Sequence, residues 1–397
     1  MPKEPFVRAL TIQNLLSFGD QPTRVELRNL NVLIGPNASG KSNLIEVLGL
    51  LQNTPKELSA AISNGGPIDE WLWKGKSGSV SKSPQAVIEV VVSPAKGKTA
   101  LRYKLAFTKA IHRFEITDER LENDSVAANG AKPYFGYDQA SGHPTLYYKG
   151  GKRSLGKEEI NPQVSILAQR RDPEHYPEIT HVGSMFAKFR LYRDWEFGSL
   201  AHVREPCDSS LPSDYLEEDC SNLGVVLNRL LALPDVKDRI LQSLRYFYED
   251  AKDLRSKIEG SKVETRLEET SLNATIPLIR VSDGTLRWLT LLTILLNPDP
   301  PPLVCIEEPE LGLHPDMIHE LGKLLIEASS RMQLIVTTHS DRLVEAMTDI
   351  PEAVIVCEKE NGASRLTRLD KRELSTWLQE YGLGQLWSKG QLGGTRW

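Results

Sequence analysis

The residues best suited to chemistry begin at Asn31. The run Asn31-Val-Leu-Ile-Gly-Pro-Asn-Ala-Ser-Gly-Lys-Ser42-Asn43 contains the spacing Gly-x4-Gly-Lys-Ser from Gly35 to Ser42. Glycines at 35 and 40 let the backbone curl until its N–H groups face one point. The nest comprises Gly35, Pro36, Asn37, Ala38, Ser39, Gly40, Lys41, Ser42 and Asn43, and a helix starting there adds the positive end of its dipole. Lys41 can reach terminal phosphates as a cation, and the Ser42 hydroxyl can ligate Mg²⁺. Far along the chain, Glu307 and Glu308 follow the apolar run Leu303-Val-Cys-Ile306. A carboxylate at the end of a buried strand can hold Mg²⁺ through water, and the next can orient or activate a water against a γ-phosphate. His339, after Gln333-Leu-Ile-Val-Thr-Thr338, offers an imidazole that can hydrogen-bond the same phosphate. This is the chemistry of a nucleoside triphosphate site, with Glu308, His339 and Lys41 as its catalytic candidates.

Each group needs an element to hold it. Val32, Leu33 and Ile34 read as a buried strand that breaks at Gly35, and Leu44, Ile45, Val47, Leu48 and Leu51 recur at helical spacing. Strand, glycine loop and helix are the context a phosphate-binding loop requires. The run Val281-Ser-Asp-Gly-Thr-Leu-Arg287 leads into an apolar helix from Trp288 to Leu296. Ser282 and Gly284 stand at that helix start, where hydroxyl and N–H groups can hold an anion. By itself, Ser-Asp-Gly is an ordinary cap and turn.

The remainder supplies scaffolding. Strands are expected at Phe6 to Ile12, Thr23 to Leu27, Ala86 to Val92, Leu101 to Phe107 and Arg113 to Leu121, giving an antiparallel layer. Residues 122–160 are polar and glycine-rich and carry the basic cluster Lys149, Lys152, Arg153 and Lys157, either a solvated loop or a nucleic-acid contact. Gln169, Arg170, Arg171, Arg190, Tyr192, Arg193 and Trp195 interleave basic and aromatic side chains, which suits base stacking and intramolecular packing equally. Residues 221–254 read as two amphipathic helices split at Pro234, followed by a hairpin of Lys262 to Glu269 and Ala274 to Arg280. Net charge is −5, so nucleic acid would need a local patch. Four scattered cysteines, an N-terminus without a signal pattern and no membrane-spanning apolar run point to a soluble cytoplasmic protein with no membrane partner.

Together these runs resemble the ATP-binding-cassette-type ATPases, and within them the SMC/RecF-like branch, including AAA-family ATPases related to OLD-family proteins. Gly35 to Ser42 looks like Walker A, Ser282 to Thr285 like the signature, Leu303 to Glu308 like Walker B, Leu311 to Pro315 like the D-loop, and His339 like the switch histidine. The resemblance implies ATP and Mg²⁺ as cofactors, with Ser42, Glu307 and the Q-loop candidate Gln169 toward the metal; Gln52 is the second candidate. It implies an α/β P-loop NTPase with a RecA-like core sheet, an antiparallel β layer and a small helical subdomain. The expected division is 1–205, a helical insertion at 206–254, and 255–397. The working unit would be an ATP-gated homodimer acting on DNA or controlling a nuclease or toxin effector, in DNA repair or phage defence; the alternative is a low-turnover nucleotide-sensing scaffold. Glu307 replaces the commoner Asp, and Ser-Asp-Gly-Thr replaces the transporter sequence Ser-Gly-Gly-Gln. Neither a long coiled coil nor a zinc hook separates Ser42 from Ser282, and no acidic nuclease cluster is evident after His339. The ending Tyr381-Gly-Leu-Gly-Gln-Leu-Trp387…Gly393-Gly394-Thr-Arg-Trp397 resembles endings in the same group without a derivable role.

Overall fold

The computed structural model describes residues 4–75, 85–94, 99–111, 113–124, 134–138, 144–148, 151–154, 160–199 and 201–394. Among these, the strand Leu30–Ile34 lies inside a six-stranded sheet. The order is Arg190–Tyr192, Leu303–Glu307, Gln333–Thr337, Leu30–Ile34, Val354–Glu360 and Ala363–Arg368. The first five run parallel and the last pairs antiparallel. Parallel strands covered on both faces need apolar side chains in both directions, which explains their unbroken Val/Ile/Leu runs. Successive residues duly enter opposite cores. Val32, Ile34, Val304, Ile306, Leu334 and Val336 join one core with the helices Asp283–Leu295 and Pro315–Ala328. Leu33, Leu303, Cys305, Ile335 and Ile355 join the other.

That second core holds the helix Lys41–Asn53 against an eight-stranded antiparallel sheet. The helix buries Leu44, Ile45, Val47, Leu48 and Leu51, each contributing about 1.5–3 kcal/mol of burial. The sheet runs Thr23–Glu26, Val7–Gln13, Ala86–Val92, Leu101–Ala110, Arg113–Asn123, Phe135–Asp138, Thr145–Tyr148 and Gly151–Ser154. The antiparallel layer expected from the sequence is therefore present, extended by three short strands within the polar stretch. Lys149 and Lys157 lie outside the described residues, as do the side chains of Lys152 and Arg153.

The subdomain differs from its expected form. The helices Leu223–Leu231 and Pro234–Arg245 form, with Pro234 at the first turn of the second. They pack on a small sheet whose main hairpin joins Ala251–Glu259 to Lys262–Glu269 through Gly260. The expected boundary at 254 thus falls inside a strand. Ala251 and Leu254 are the strand's buried residues, and Ile258 is exposed, so its sequence carries little alternation to read. Ile276–Pro277 does pair with Lys262–Glu269, but over two residues only. No helix among the described residues is long and apolar enough to cross a membrane.

Candidate nucleotide-binding site

The candidate residues gather at the C-terminal edge of the parallel strands, where ligands of open α/β sheets lie. Leu30–Ile34 ends there and the chain turns at once, with φ of 147° at Gly35 and 106° at Gly40. A Cβ at Gly35 would collide with the Cys357 carbonyl oxygen and one at Gly40 with the Ser364 hydroxyl, so both conformation and space demand glycine. The Ser364 hydroxyl also lies 2.7 Å from the Ser39 carbonyl oxygen and 2.6 Å from the Ser17 hydroxyl, bracing the loop from outside. Helix Lys41–Asn53 opens with no side-chain cap and no acid in its first turn, which leaves its amides for a ligand.

Lys41 is only 6% exposed. Its Nζ donates to the carbonyls of Gly35 (2.8 Å) and Pro36 (3.0 Å). Burial holds its pKa below the ordinary lysine range, while the Cys357 thiol and the carboxylates of Glu308 and Glu307 pull the other way. The Ser39 hydroxyl is buried without a hydrogen-bond partner. Ser42, Asn37 and Ala38 are exposed, and Asn43 is half-buried.

Opposite the loop, Leu303–Glu307 pairs in register with Gln333–Thr337, so Glu307 stands beside Thr337. One Glu307 carboxylate oxygen lies 3.4 Å from Arg193 Nε; the other is buried without a partner. Glu308 has φ 45°, a conformation a non-glycine residue keeps only where its surroundings impose it. Its N–H donates to the Thr337 carbonyl (3.0 Å), and its carboxylate lies 3.6 Å from His339 Nε2. His339 is aimed through its backbone: its N–H and the Thr338 hydroxyl donate to one oxygen of buried Glu310 at 2.9 and 2.6 Å. Burial raises the Glu310 pKa.

The signature candidate stands on the other core. Ser282 caps helix Asp283–Leu295, accepting from the Thr285 amide at 3.2 Å. Gly284 is packed against the D-loop candidate, where a Cβ would lie 3.2 Å from the Gly312 carbonyl oxygen. Asp283 pairs with Arg204, which also donates to the Val281 carbonyl at 2.7 Å.

Arg193, Trp195, Phe197 and Arg204 connect these two parts, and of the two uses the sequence left open for Arg193 and Trp195 they serve intramolecular packing. Arg193 meets Glu307, Trp195 Nε1 donates to the Glu307 carbonyl (2.8 Å), and Arg287 of helix Asp283–Leu295 lies over the rings of Trp195 and Phe197 at 5.4 and 4.9 Å. Glu46, on the loop helix, is half-buried with a pKa raised by burial, and Arg193 opposes the shift. The strand Arg190–Tyr192 lies beside the acid strand, and its end places Arg193 and Trp195. Arg190 likewise acts within the chain, over the Tyr215 ring at 5.5 Å.

Gln169 is corrected as a metal candidate. Its carboxamide closes the turn before helix Ile166–Gln169, donating to Val164 O at 2.6 Å and accepting from Asn161 N at 3.2 Å. Neighbouring Arg171 bonds the Pro55 carbonyl, beyond the far end of the loop helix and about 20 Å of helix from Lys41. Gln52 bonds Phe189 O and Glu218 instead.

The chain has an α/β P-loop NTPase fold of the kind seen in SMC heads. The family model described as "AAA domain, putative AbiEii toxin, Type IV TA system" matches residues 30–345, well over half of the chain, and the protein belongs to that family. Its fold is similar to an Smc head bound to the C-terminal winged-helix domain of ScpA, with 14% identity, a TM-score of 0.59, and 94% of this chain and 100% of that one covered. It is also similar to the Smc head with an extended coiled coil bound to the C-terminal domain of ScpA from Pyrococcus furiosus (13% identity, TM-score 0.57, 95% and 99% covered). A third likeness is the Smc head with a coiled coil and joint from Pyrococcus yayanosii (12% identity, TM-score 0.52, 95% and 99% covered). No curated protein matches the chain.

Proposed function

We propose that the protein binds and hydrolyses ATP with Mg²⁺ at the loop Gly35–Ser42, and that ATP occupancy closes two copies into a dimer. The observation that carries this is Lys41, a buried ammonium held by two loop carbonyls, beside an uncapped helix start and facing Glu307 and Glu308. On this reading the loop amides and Lys41 take the phosphates. Ser42 and the unpartnered oxygen of Glu307 would hold Mg²⁺, which neutralises charge developing on the phosphate oxygens. Among the described residues no three His, Cys, Asp or Glu side chains form a metal cluster, and Mg²⁺ shared with substrate phosphates needs fewer protein ligands. Glu308 accepts the proton of the attacking water, and His339 contacts the γ-phosphate. Ser282 and Gly284 would complete the site of the opposing copy. Leu311 and Ile279, 50% and 48% exposed near the signature turn, support that face as the one that closes.

The test is phosphate release with and without DNA. Glu308→Gln is expected to lower turnover by about 10²- to 10⁴-fold while ATP still binds. Turnover in Glu308→Gln equal to wild type refutes the assignment. Stimulation by DNA supports action on nucleic acid. In the second reading, occupancy controls a separate nuclease or toxin effector. Negligible turnover with tight ATP binding would favour that reading.

A further inference from the structure

The ending that had no role in the sequence lies against the phosphate loop. Gly394 packs on Gly35: a Cβ on Gly394 would sit 3.3 Å from Gly35 Cα and 2.8 Å from a Val356 methyl. Gly393 and Gly394 have φ of 72° and 57°, so the chain bends over the loop in a conformation that favours glycine. Side chains hold both polar groups of Gly394. Its N–H donates to Glu358 at 2.8 Å, and its carbonyl accepts from Trp387 Nε1 at 3.0 Å.

Buried Trp387 belongs to helix Leu383–Ser388, whose other end meets the element following His339. The amides of Gly384 and Gln385 donate to Glu345 at 2.8 and 3.3 Å. Glu345 closes the helix Asp341–Glu345, which opens immediately after His339 and Ser340. A Cβ on Gly384 would strike the Asp341 carbonyl oxygen, so the two helices are in direct backbone contact.

We propose that residues 381–394 form a strut that fixes Gly35 and ties it to the helix after His339, making Trp387 and Gly394 positioning residues for the nucleotide. This rests on the reading of Gly35–Ser42 as the nucleotide site. An anion nest binds well when its amides are already aimed, because ordering them on binding consumes affinity. Glycines give the loop its curl but no stiffness of their own. The strut supplies stiffness from outside, at the residue where strand becomes loop. Through the helix Asp341–Glu345, the same contacts join the phosphate-binding backbone to the element that follows His339.

The test uses the full chain, calorimetric binding of a non-hydrolysable ATP analogue with Mg²⁺, and hydrogen exchange at residues 35–42. The variants are Gly394→Ala, Trp387→Phe, Lys41→Ala and Gly260→Ala. Gly260 is the control, with φ 59° and open space around it. Trp387→Phe keeps an aromatic ring and removes the N–H that Gly394 accepts. Gly394→Ala is expected to weaken binding by about tenfold and Trp387→Phe by about threefold, while Gly260→Ala binds as wild type. Exchange at 35–42 should quicken in both strut variants, and in steady-state turnover KM should rise while kcat changes less than about twofold. Binding and exchange like wild type in Trp387→Phe and in folded Gly394→Ala overturn the strut; should Gly394→Ala not fold, Trp387→Phe decides. Failure of the wild type to bind the analogue, or equal binding after Lys41→Ala, overturns the nucleotide reading itself. Normal loss in Lys41→Ala beside intact binding in the strut variants sinks the strut alone.

Discussion

Two thirteen-residue helices open onto the candidate chemistry, and their first turns are finished differently. Lys41–Asn53 begins at Gly40 with no capping side chain and no acid, inside a loop braced by Ser364, Cys357 and Gly394. Asp283–Leu295 begins with its own cap, Ser282 on the Thr285 amide, and with Asp283 already paired to Arg204. An open set of amides on a rigid support is incomplete until an anion arrives. A capped start is complete alone and can gain only from a phosphate brought to it. Ser282 and Asp283 are exposed accordingly, whereas Ser39 and Lys41 are buried. On the proposed reading, the difference sets an order: the loop binds ATP first, and the signature joins when a second copy presents its nucleotide.

Three substitutions probe that contrast. The largest effect is expected at the loop. Lys41→Ala removes the buried cation and should lower ATP affinity by about 1–3 kcal/mol in calorimetry, the scale of a charge-assisted hydrogen bond. Unchanged affinity would erase the distinction between the two helix starts. Ser282→Ala should instead cost about 1 kcal/mol of stability in chemical denaturation, through the lost cap, and leave ATP binding to the monomer unaltered. Weaker ATP binding by the monomer would show that the signature turn serves its own loop.

The smallest effect concerns the support of His339. Burial raises the Glu310 pKa, so the folded protein holds that proton more tightly than the unfolded chain. Its contribution is fully present below the unfolded value, near 4.5, and is lost as pH rises through the raised folded value. Glu310→Gln keeps an acceptor for Thr338 and His339 but no titrating proton. Its melting temperature, compared with wild type from about pH 4.5 upward, should fall less steeply. An identical slope would remove Glu310 from the account.

The turn from Gly35 to Ser42 was legible in the sequence because backbone geometry dictates it: the glycines at 35 and 40 are where the fold leaves no room for a side chain. The strands around it were legible because burial on both faces produces continuous apolar runs. Glu307, Glu308 and His339 followed, as residues at the ends of such strands. What escaped depends on partners distant in sequence. Arg193 gains its place from pairing Arg190–Tyr192 with Leu303–Glu307, and Gly394 from folding back onto Gly35. Gln169 misled because a glutamine after a short apolar run fits a local turn equally well, and here Val164 and Asn161 use it. The strand Ala251–Glu259 was hidden because it buries so few of its side chains.

Sedimentation of the Glu308→Gln protein tests the central claim most directly. With ATP and Mg²⁺ it should run as a dimer, and with ADP or no nucleotide as a monomer. Adding Ser282→Arg should return the ATP-bound protein to the monomer without loss of ATP. A mass for Glu308→Gln that is independent of nucleotide and unchanged by Ser282→Arg would contradict the ATP-gated dimer.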